Sequence, residues 1–145
     1  MRASIRNLLP RGITYVNNGQ PNEVLKFSTL NELKNLNENQ IKIKFLLSPL
    51  NPADINVIQG VYPSKPLKQK LSDNNFHNLS GNEGLGQVLD VGKSVKNFKP
   101  NDWVIMASPQ VGTFRSSAIL NETDLIKLPS INNLSKVLGA TLAVN

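Results

Sequence analysis

The sequence of 145 residues predicts a mainly β domain with small helices, a barrel-like all-β core whose strands are linked by short turns. Three observations carry that expectation. Residues 40–48 alternate, with Ile41, Ile43, Phe45 and Leu47 on one side and Lys42, Lys44 and Ser48 on the other, the period of a half-buried strand. Beyond Gly81, short apolar runs recur at close spacing with turn-forming clusters between them. One segment, 51–60, has both ends of a helix marked in its residues.

The elements follow in order. Ile13-Thr14-Tyr15-Val16 and Val24-Leu25-Lys26-Phe27 read as short strands joined by the turn-forming cluster Asn17-Asn18-Gly19-Gln20-Pro21. After the alternating strand, Asn51 suits an N-cap, Pro52 the first helical position and Gly60 the left-handed position past the end. Ile55 and Ile58 supply the buried stripe of that helix. Tyr62-Pro63-Ser64-Lys65-Pro66 and the polar stretch to about Leu79 read as a long loop, either lying over a site or, as is commoner, simply solvated, with His77 solvated within it. Strands are expected at 85–91, 103–107, 113–120 and 125–127. Lys99-Pro100-Asn101-Asp102 reads as a type II turn, with Pro presetting the first central angle and Asn tolerating the left-handed second. Residues 134–144 are helix-compatible and run on to Asn145 without a stop signal.

Composition narrows the chemistry. Hydrophobic residues make up 39% and charged residues 18%, enough apolar content for a packed core. No run approaches the roughly 20 apolar residues that a membrane-spanning helix requires. Cysteine is absent and His77 is the single histidine, which removes disulfides, thiolate nucleophiles and zinc sites built on sulfur. The net charge is +6, but Arg2, Arg6 and Arg11 stand in an acid-free opening segment. Without them 13 basic residues face 10 acidic ones, with the lysines scattered and no nucleic-acid-binding motif beside them, so no nucleic-acid partner is expected.

Residues 1–11 have the make-up of a mitochondrial presequence: arginines, a serine, apolar residues and no Asp or Glu. On a helix, Ile5, Leu8 and Leu9 share one face while Arg2 and Arg6 fall on another. The mitochondrial matrix is the expected location.

Five motifs, in order, carry a resemblance. Asn51-Pro52-Ala53-Asp54-Ile55-Asn56-Val57-Ile58-Gln59-Gly60-Val61-Tyr62-Pro63 is similar to the NPxDINxIQGxY signature of the mitochondrial 2-enoyl thioester reductases. Gly81-Asn82-Glu83-Gly84 resembles their GNEG. Phe98-Lys99-Pro100-Asn101-Asp102-Trp103-Val104-Ile105 resembles LKPGDWVI, with Asn for Gly, and Gly112-Thr113-Phe114-Arg115 resembles GTWRT, with Phe for Trp. Gly139-Ala140-Thr141-Leu142-Ala143-Val144-Asn145 resembles the GATxxVN that introduces their cofactor domain. These are zinc-free members of the medium-chain dehydrogenase/reductase superfamily.

The resemblance implies a GroES-like, partly open β-barrel over residues 12–145, with the Rossmann domain that follows in the family lying beyond this chain. Gly84-Leu85-Gly86 sits inside a strand pattern with no helix after it and is not a dinucleotide fingerprint. The implied reaction is NADPH-dependent reduction of trans-2-enoyl thioesters, carried on acyl carrier protein or CoA, in mitochondrial fatty-acid synthesis. Tyr62 matches the family's proton donor, and a phenol is protonated at neutral pH. Pro63 restricts Tyr62 to extended backbone, which helps to aim the ring. Asn145 matches the asparagine that touches the nicotinamide. No zinc is expected, because the metal-binding position of zinc-dependent relatives is Asn82, so carbonyl polarisation falls to hydrogen-bond donors.

Asp54 is expected to favour the helix start electrostatically and Glu83 to make a structural hydrogen bond beneath the site. Phe114 keeps an aromatic wall but lacks an indole N–H. The resemblance further implies a homodimer for the full-length protein. It also implies that this chain has no hydride source of its own and is inactive alone. Two other readings stay open: a quinone-oxidoreductase-like NADPH reductase, which shares the barrel, and a non-catalytic barrel domain.

Overall fold

The alternating strand is an interior strand of the larger sheet. In the computed structural model, which describes residues 9–31, 33 and 35–129, β3 (Gln40–Leu47) is flanked by β8 (Ser117–Asn121) on one edge and β6 (Leu85–Val91) on the other. Ile41 and Ile43 are fully buried and pack with Val88, Val104, Ala118, Leu120 and Leu125 in the main core. β7 (Trp103–Met106) and β9 (Leu125–Lys127) complete a five-stranded antiparallel sheet in the order β8-β3-β6-β7-β9. A 3-10 turn over Glu122–Asp124 joins β8 to β9.

The second sheet has four antiparallel strands in the order β2-β1-β5-β4: β1 (Arg11–Tyr15), β2 (Lys26–Thr29), β4 (Lys68–Lys70) and β5 (Phe76–Leu79). The two sheets are joined without closing into a complete barrel, in keeping with the expected partly open form. Residues 113–116 are the seam. Ile13 N–H donates to Phe114 O at 2.8 Å and Ser116 N–H to Arg11 O at 2.8 Å, while Phe45 N–H donates to Ser116 O at 3.0 Å. One short segment thus bonds to a strand of each sheet. For that reason the strand expected at 113–120 begins only at Ser117.

Several expectations are corrected. The polar loop expected between Pro66 and Leu79 contains the β4–β5 hairpin, turned at Asn74 with φ 63°. β4 is an edge strand with two exposed lysines, so it needs no apolar alternation. β5 buries two polar side chains, His77 and Asn78, beside the apolar Leu79. His77, expected to be solvated, is 5% exposed; its Nδ1 lies 3.2 Å from Thr14 Oγ1 and its Nε2 2.9 Å from Asp73 Oδ2. That contact holds the exposed Asp73 carboxyl down to about 2. The strand expected from Val24 starts at Lys26, since Pro21–Val24 forms a single helical turn, α1.

The turn before β7 is as expected. Asp102 N–H donates to Lys99 O at 3.1 Å, and Asn101 has φ 75°. Burial pushes the Asp102 carboxyl upward, but the Lys127 ammonium at 2.7 Å and the Lys99 N–H at 2.9 Å outweigh it and hold it below the ordinary range. The helix expected at 134–144 and most of the segment expected to be a presequence lie outside the described residues.

Candidate active site

The helix α2 (Pro52–Gln59) supplies the frame of the site. Asn51 is extended (φ −106°, ψ 156°) and Pro52 opens the helix, where a missing N–H costs nothing. At the third helical position Asp54 reaches back, and its Oδ2 accepts the Asn51 N–H at 2.8 Å. At the far end Gly60 takes φ 77°, the left-handed conformation that an L side chain resists. The buried face is Asp54, Val57 and Ile58, with Ile55 only partly covered. The Asn18 amide donates to the carbonyls of Val57 and Ile58, both at 3.0 Å, and so caps orphaned groups of the last turn.

That stop sets the position of Tyr62. Val61 N–H and Tyr62 N–H both donate to Asn56 O, at 3.0 and 3.2 Å, and Ser64 N–H donates to Tyr62 O at 2.8 Å. The backbone around Tyr62 is bonded on both sides while its side chain stands 53% exposed. The ring is therefore not packed away on the rim of the sheets. It borders a groove of about 870 Å³ that is also lined by Asn17, Asn18, Ser64, Lys65, Lys68 and Asn78.

Beneath the helix, the motifs that were separate in sequence converge. Asp54 is 2% exposed, and its Oδ1 accepts both the backbone N–H of Asn82, at 3.0 Å, and the Asn82 side-chain amide, at 2.8 Å. The Asn51 amide donates to Glu83 Oε2 at 3.2 Å, and Thr113 Oγ1 donates to Glu83 O at 2.7 Å. Gly81 O accepts from Gly112 N–H and Thr113 N–H at 3.1 and 3.2 Å. Asp54 and Glu83 are committed to amide donors, as their expected structural roles require. Asp54 does more than favour the helix start, since it ties the helix to the Gly81–Gly84 turn.

Removing that carboxylate should be costly. Asp54→Ala leaves the buried Asn82 amides and the Asn51 N–H without their acceptor. A loss of about 3 kcal/mol is expected in urea unfolding, since hydrogen bonds to charged groups are worth roughly 1.5–3 kcal/mol each and the orphaned donors stay buried. Asp54→Asn should lose less. A midpoint unmoved by Asp54→Ala would show the brace to be energetically idle.

Asn82 has its side-chain amide donating to Asp54 Oδ1 at 2.8 Å. Among the described residues no group of three His, Cys, Asp or Glu side chains is arranged to hold a metal. Phe114 bonds through its backbone, donating to Ser80 O at 2.9 Å. Arg115 is largely buried, which lowers its guanidinium to about 10, and it donates to Val111 O at 2.9 Å. Asn145 lies outside the described residues, so only Tyr62 of the two expected site residues is placed. Asn18, Lys68 and Asn78 were not singled out from sequence. The Asn17-Asn18-Gly19 cluster announced a turn, but not that its amide would cap a helix 39 residues away.

Comparison with known proteins agrees with this architecture. Residues 37–130 match the alcohol dehydrogenase GroES-like domain. The mitochondrial enoyl-[acyl-carrier-protein] reductase 2 of Debaryomyces hansenii is 40% identical over 97% of this chain, which spans 40% of that protein. The structure superposes on Etr1p in complex with NADP and crotonyl-CoA with a TM-score of 0.85 at 38% identity, over 93% of this chain and 40% of that one. A solved Etr1p/Etr2p heterodimer from Candida tropicalis gives 0.85 over 94% of this chain and 40% of that one, also at 38% identity. A quinone oxidoreductase of Pseudomonas syringae is more distant, at 0.69 and 27% identity, over 92% of this chain and 37% of its own. The chain belongs to the alcohol dehydrogenase GroES-like domain family. Within it, the relatives at 32–42% identity are mitochondrial enoyl-[acyl-carrier-protein] reductases, of the medium-chain dehydrogenase/reductase superfamily.

Proposed function

We propose that these residues form the substrate side of an NADPH-dependent trans-2-enoyl thioester reductase of mitochondrial fatty-acid synthesis. The carrying observation is Tyr62: a phenol exposed on a groove, on backbone bonded to the end of a capped helix. Reduction adds a hydride at the β-carbon and a proton at the α-carbon, while negative charge gathers on the thioester oxygen. NADPH supplies the hydride when bound. Tyr62 holds the proton at its hydroxyl and delivers it to the α-carbon. Asn145 is the residue of this chain assigned to touch the nicotinamide.

Among the described residues the features that suit a nicotinamide dinucleotide are limited. The start of α2 is turned inward onto the Asp54 brace, and the Asn51 N–H is already taken, so it is no phosphate cradle. The groove beside Tyr62 suits the acyl thioester instead. With Asn82 spent on Asp54, polarisation of the thioester carbonyl is assigned to hydrogen-bond donors and not to zinc. The names of the relatives support mitochondrial localisation. The heterodimer among the solved relatives supports a two-subunit assembly, proposed here as a homodimer.

The protein expressed from the complete reading frame that holds these 145 residues tests the proposal. It should oxidise NADPH with a 2-enoyl-CoA or a 2-enoyl acyl carrier protein and ignore quinones. Turnover of quinones alone would favour the quinone reductase reading. Activity with neither would favour a non-catalytic domain.

A further inference from the structure

The last turn of α2 leaves its carbonyls to donors from outside the helix, and two segments of the chain take them. Asn56 O accepts Val61 N–H and Tyr62 N–H at 3.0 and 3.2 Å, and Val57 O accepts Gly60 N–H at 3.1 Å. The Asn18 amide bonds to Val57 O and Ile58 O, and Gly19 N–H donates to Ile58 O at 3.1 Å. Tyr62 thus hangs from one side of a helical turn that Asn18 and Gly19 hold from the other. The two sides meet at Gly60, where an added Cβ would lie 3.0 Å from Asn18 Cγ.

The holding segment is itself anchored. It leaves β1 directly after the fully buried Tyr15, and the Asn78 amide of β5 donates to Val16 O at 3.4 Å. Beyond Asn18, Gln20 Oε1 accepts the Gln59 amide at 3.2 Å, a further tie to the end of α2. Asn18 borders the Tyr62 groove. Its amide nitrogen has two hydrogens and makes two bonds, both to helix carbonyls, so it has no donor left for a ligand. What this side chain controls is where the end of α2 lies.

From this we infer that Asn18 is a positioning residue for proton delivery, holding the end of α2 so that the Tyr62 hydroxyl stands within reach of the substrate α-carbon. The inference rests on the reading of Tyr62 as proton donor. A proton passes only over hydrogen-bond distance, so a small shift of the donor is costly, and a misplacement of about 1 Å can lower a rate by about 10²-fold. Asn18→Ala deletes both side-chain bonds and leaves Tyr62 itself in place. The Gly19 N–H and Gln20 ties remain, so the end of α2 loosens without being released.

The test is a double-mutant cycle in the protein from the complete reading frame. Wild type, Asn18→Ala, Tyr62→Phe and the double variant are assayed with NADPH and a 2-enoyl-CoA. Asn18→Ala should lower kcat about ten- to a hundredfold. Both KM values should stay within about twofold of wild type, the pattern of a lost transition-state interaction. The solvent deuterium isotope effect on kcat should rise, because proton delivery becomes the slower step. In the Tyr62→Phe background the same substitution should lower kcat no further, since no phenolic proton is left to aim. Equal losses in the two backgrounds overturn the inference, because a general loosening of the fold, or a direct contact with substrate, acts alike with either residue at position 62. An unchanged kcat, or a rise in KM alone, overturns it as well. Asn18→Asp keeps the shape of the side chain but turns its donors into acceptors, and it should repeat the Asn18→Ala result. It is the variant to read if Asn18→Ala does not fold. If neither folds, Asn18 belongs to the fold alone and the inference fails. A near-normal rate for Tyr62→Phe ends the proton-donor reading and this role with it. A deep loss there, with an independent loss from Asn18→Ala, ends this role and leaves the donor standing.

Discussion

Tyr62→Phe is expected to lower kcat for 2-enoyl thioester reduction by about 10²- to 10⁴-fold, the span that a positioned proton donor contributes. The substitution deletes one oxygen and nothing else that holds the structure. Tyr62 is anchored through its backbone, by Asn56 O on one side and Ser64 N–H on the other, and its ring is 53% exposed. Stability should therefore stay within about 0.5 kcal/mol of wild type, as for surface changes away from packed or bonded groups. A steady-state assay beside a urea unfolding curve separates the two effects. A near-normal rate in a normally folded variant would remove Tyr62 from the role of proton donor. A rate loss accompanied by unfolding would assign the tyrosine to the fold.

A large stability effect is expected at Gly81. Its φ is 100°, outside the range open to a side chain without strain. A Cβ there would lie 2.4 Å from Thr113 Oγ1 and 2.7 Å from the backbone nitrogen of Phe114. Neither neighbour can withdraw freely. Thr113 Oγ1 is bonded to Glu83 O and Phe114 N–H to Ser80 O, and Gly81 O itself accepts from Gly112 and Thr113. Backbone strain of about 1–3 kcal/mol and overpacking of similar size give an expected loss of roughly 2–5 kcal/mol for Gly81→Ala. Chemical denaturation measures it directly. A loss below about 1 kcal/mol would mean that the seam between the sheets is softer than its bonding implies.

The parts of the fold legible in the sequence are those where one side of an element is apolar or an end is chemically marked. β3 could be read because Ile41 and Ile43 are buried while Lys44 is exposed. α2 could be read because Asn51, Pro52 and Gly60 each have a backbone preference that the structure uses. β4 and β5 could not. Lys68-Gln69-Lys70 has nothing apolar to alternate, and β5 buries two polar residues in a row, His77 and Asn78, bonded to Thr14 Oγ1 and Val16 O, before the apolar Leu79. Polar residues buried in succession leave no periodic signal. The candidate site divides in the same way. Its motif singles out Tyr62 as the proposed proton donor, whereas the Asp54–Asn82 pairing spans 28 residues and depends on how the chain returns. No local pattern reports that.

The Asp54–Asn82 and Asn51–Glu83 contacts have a consequence for divergence. They fasten both ends of one excursion of the chain, from the start of α2 to the Gly81 turn, much as a clasp closes a necklace. Within it, the stretch from Lys65 to the edge hairpin can lengthen or shorten while its ends stay where they are. Loop-closure entropy grows slowly, by about 0.6 kcal/mol for each doubling of length. A lineage could thus remodel the wall that meets its ligand, insertion by insertion, without disturbing the scaffold beneath.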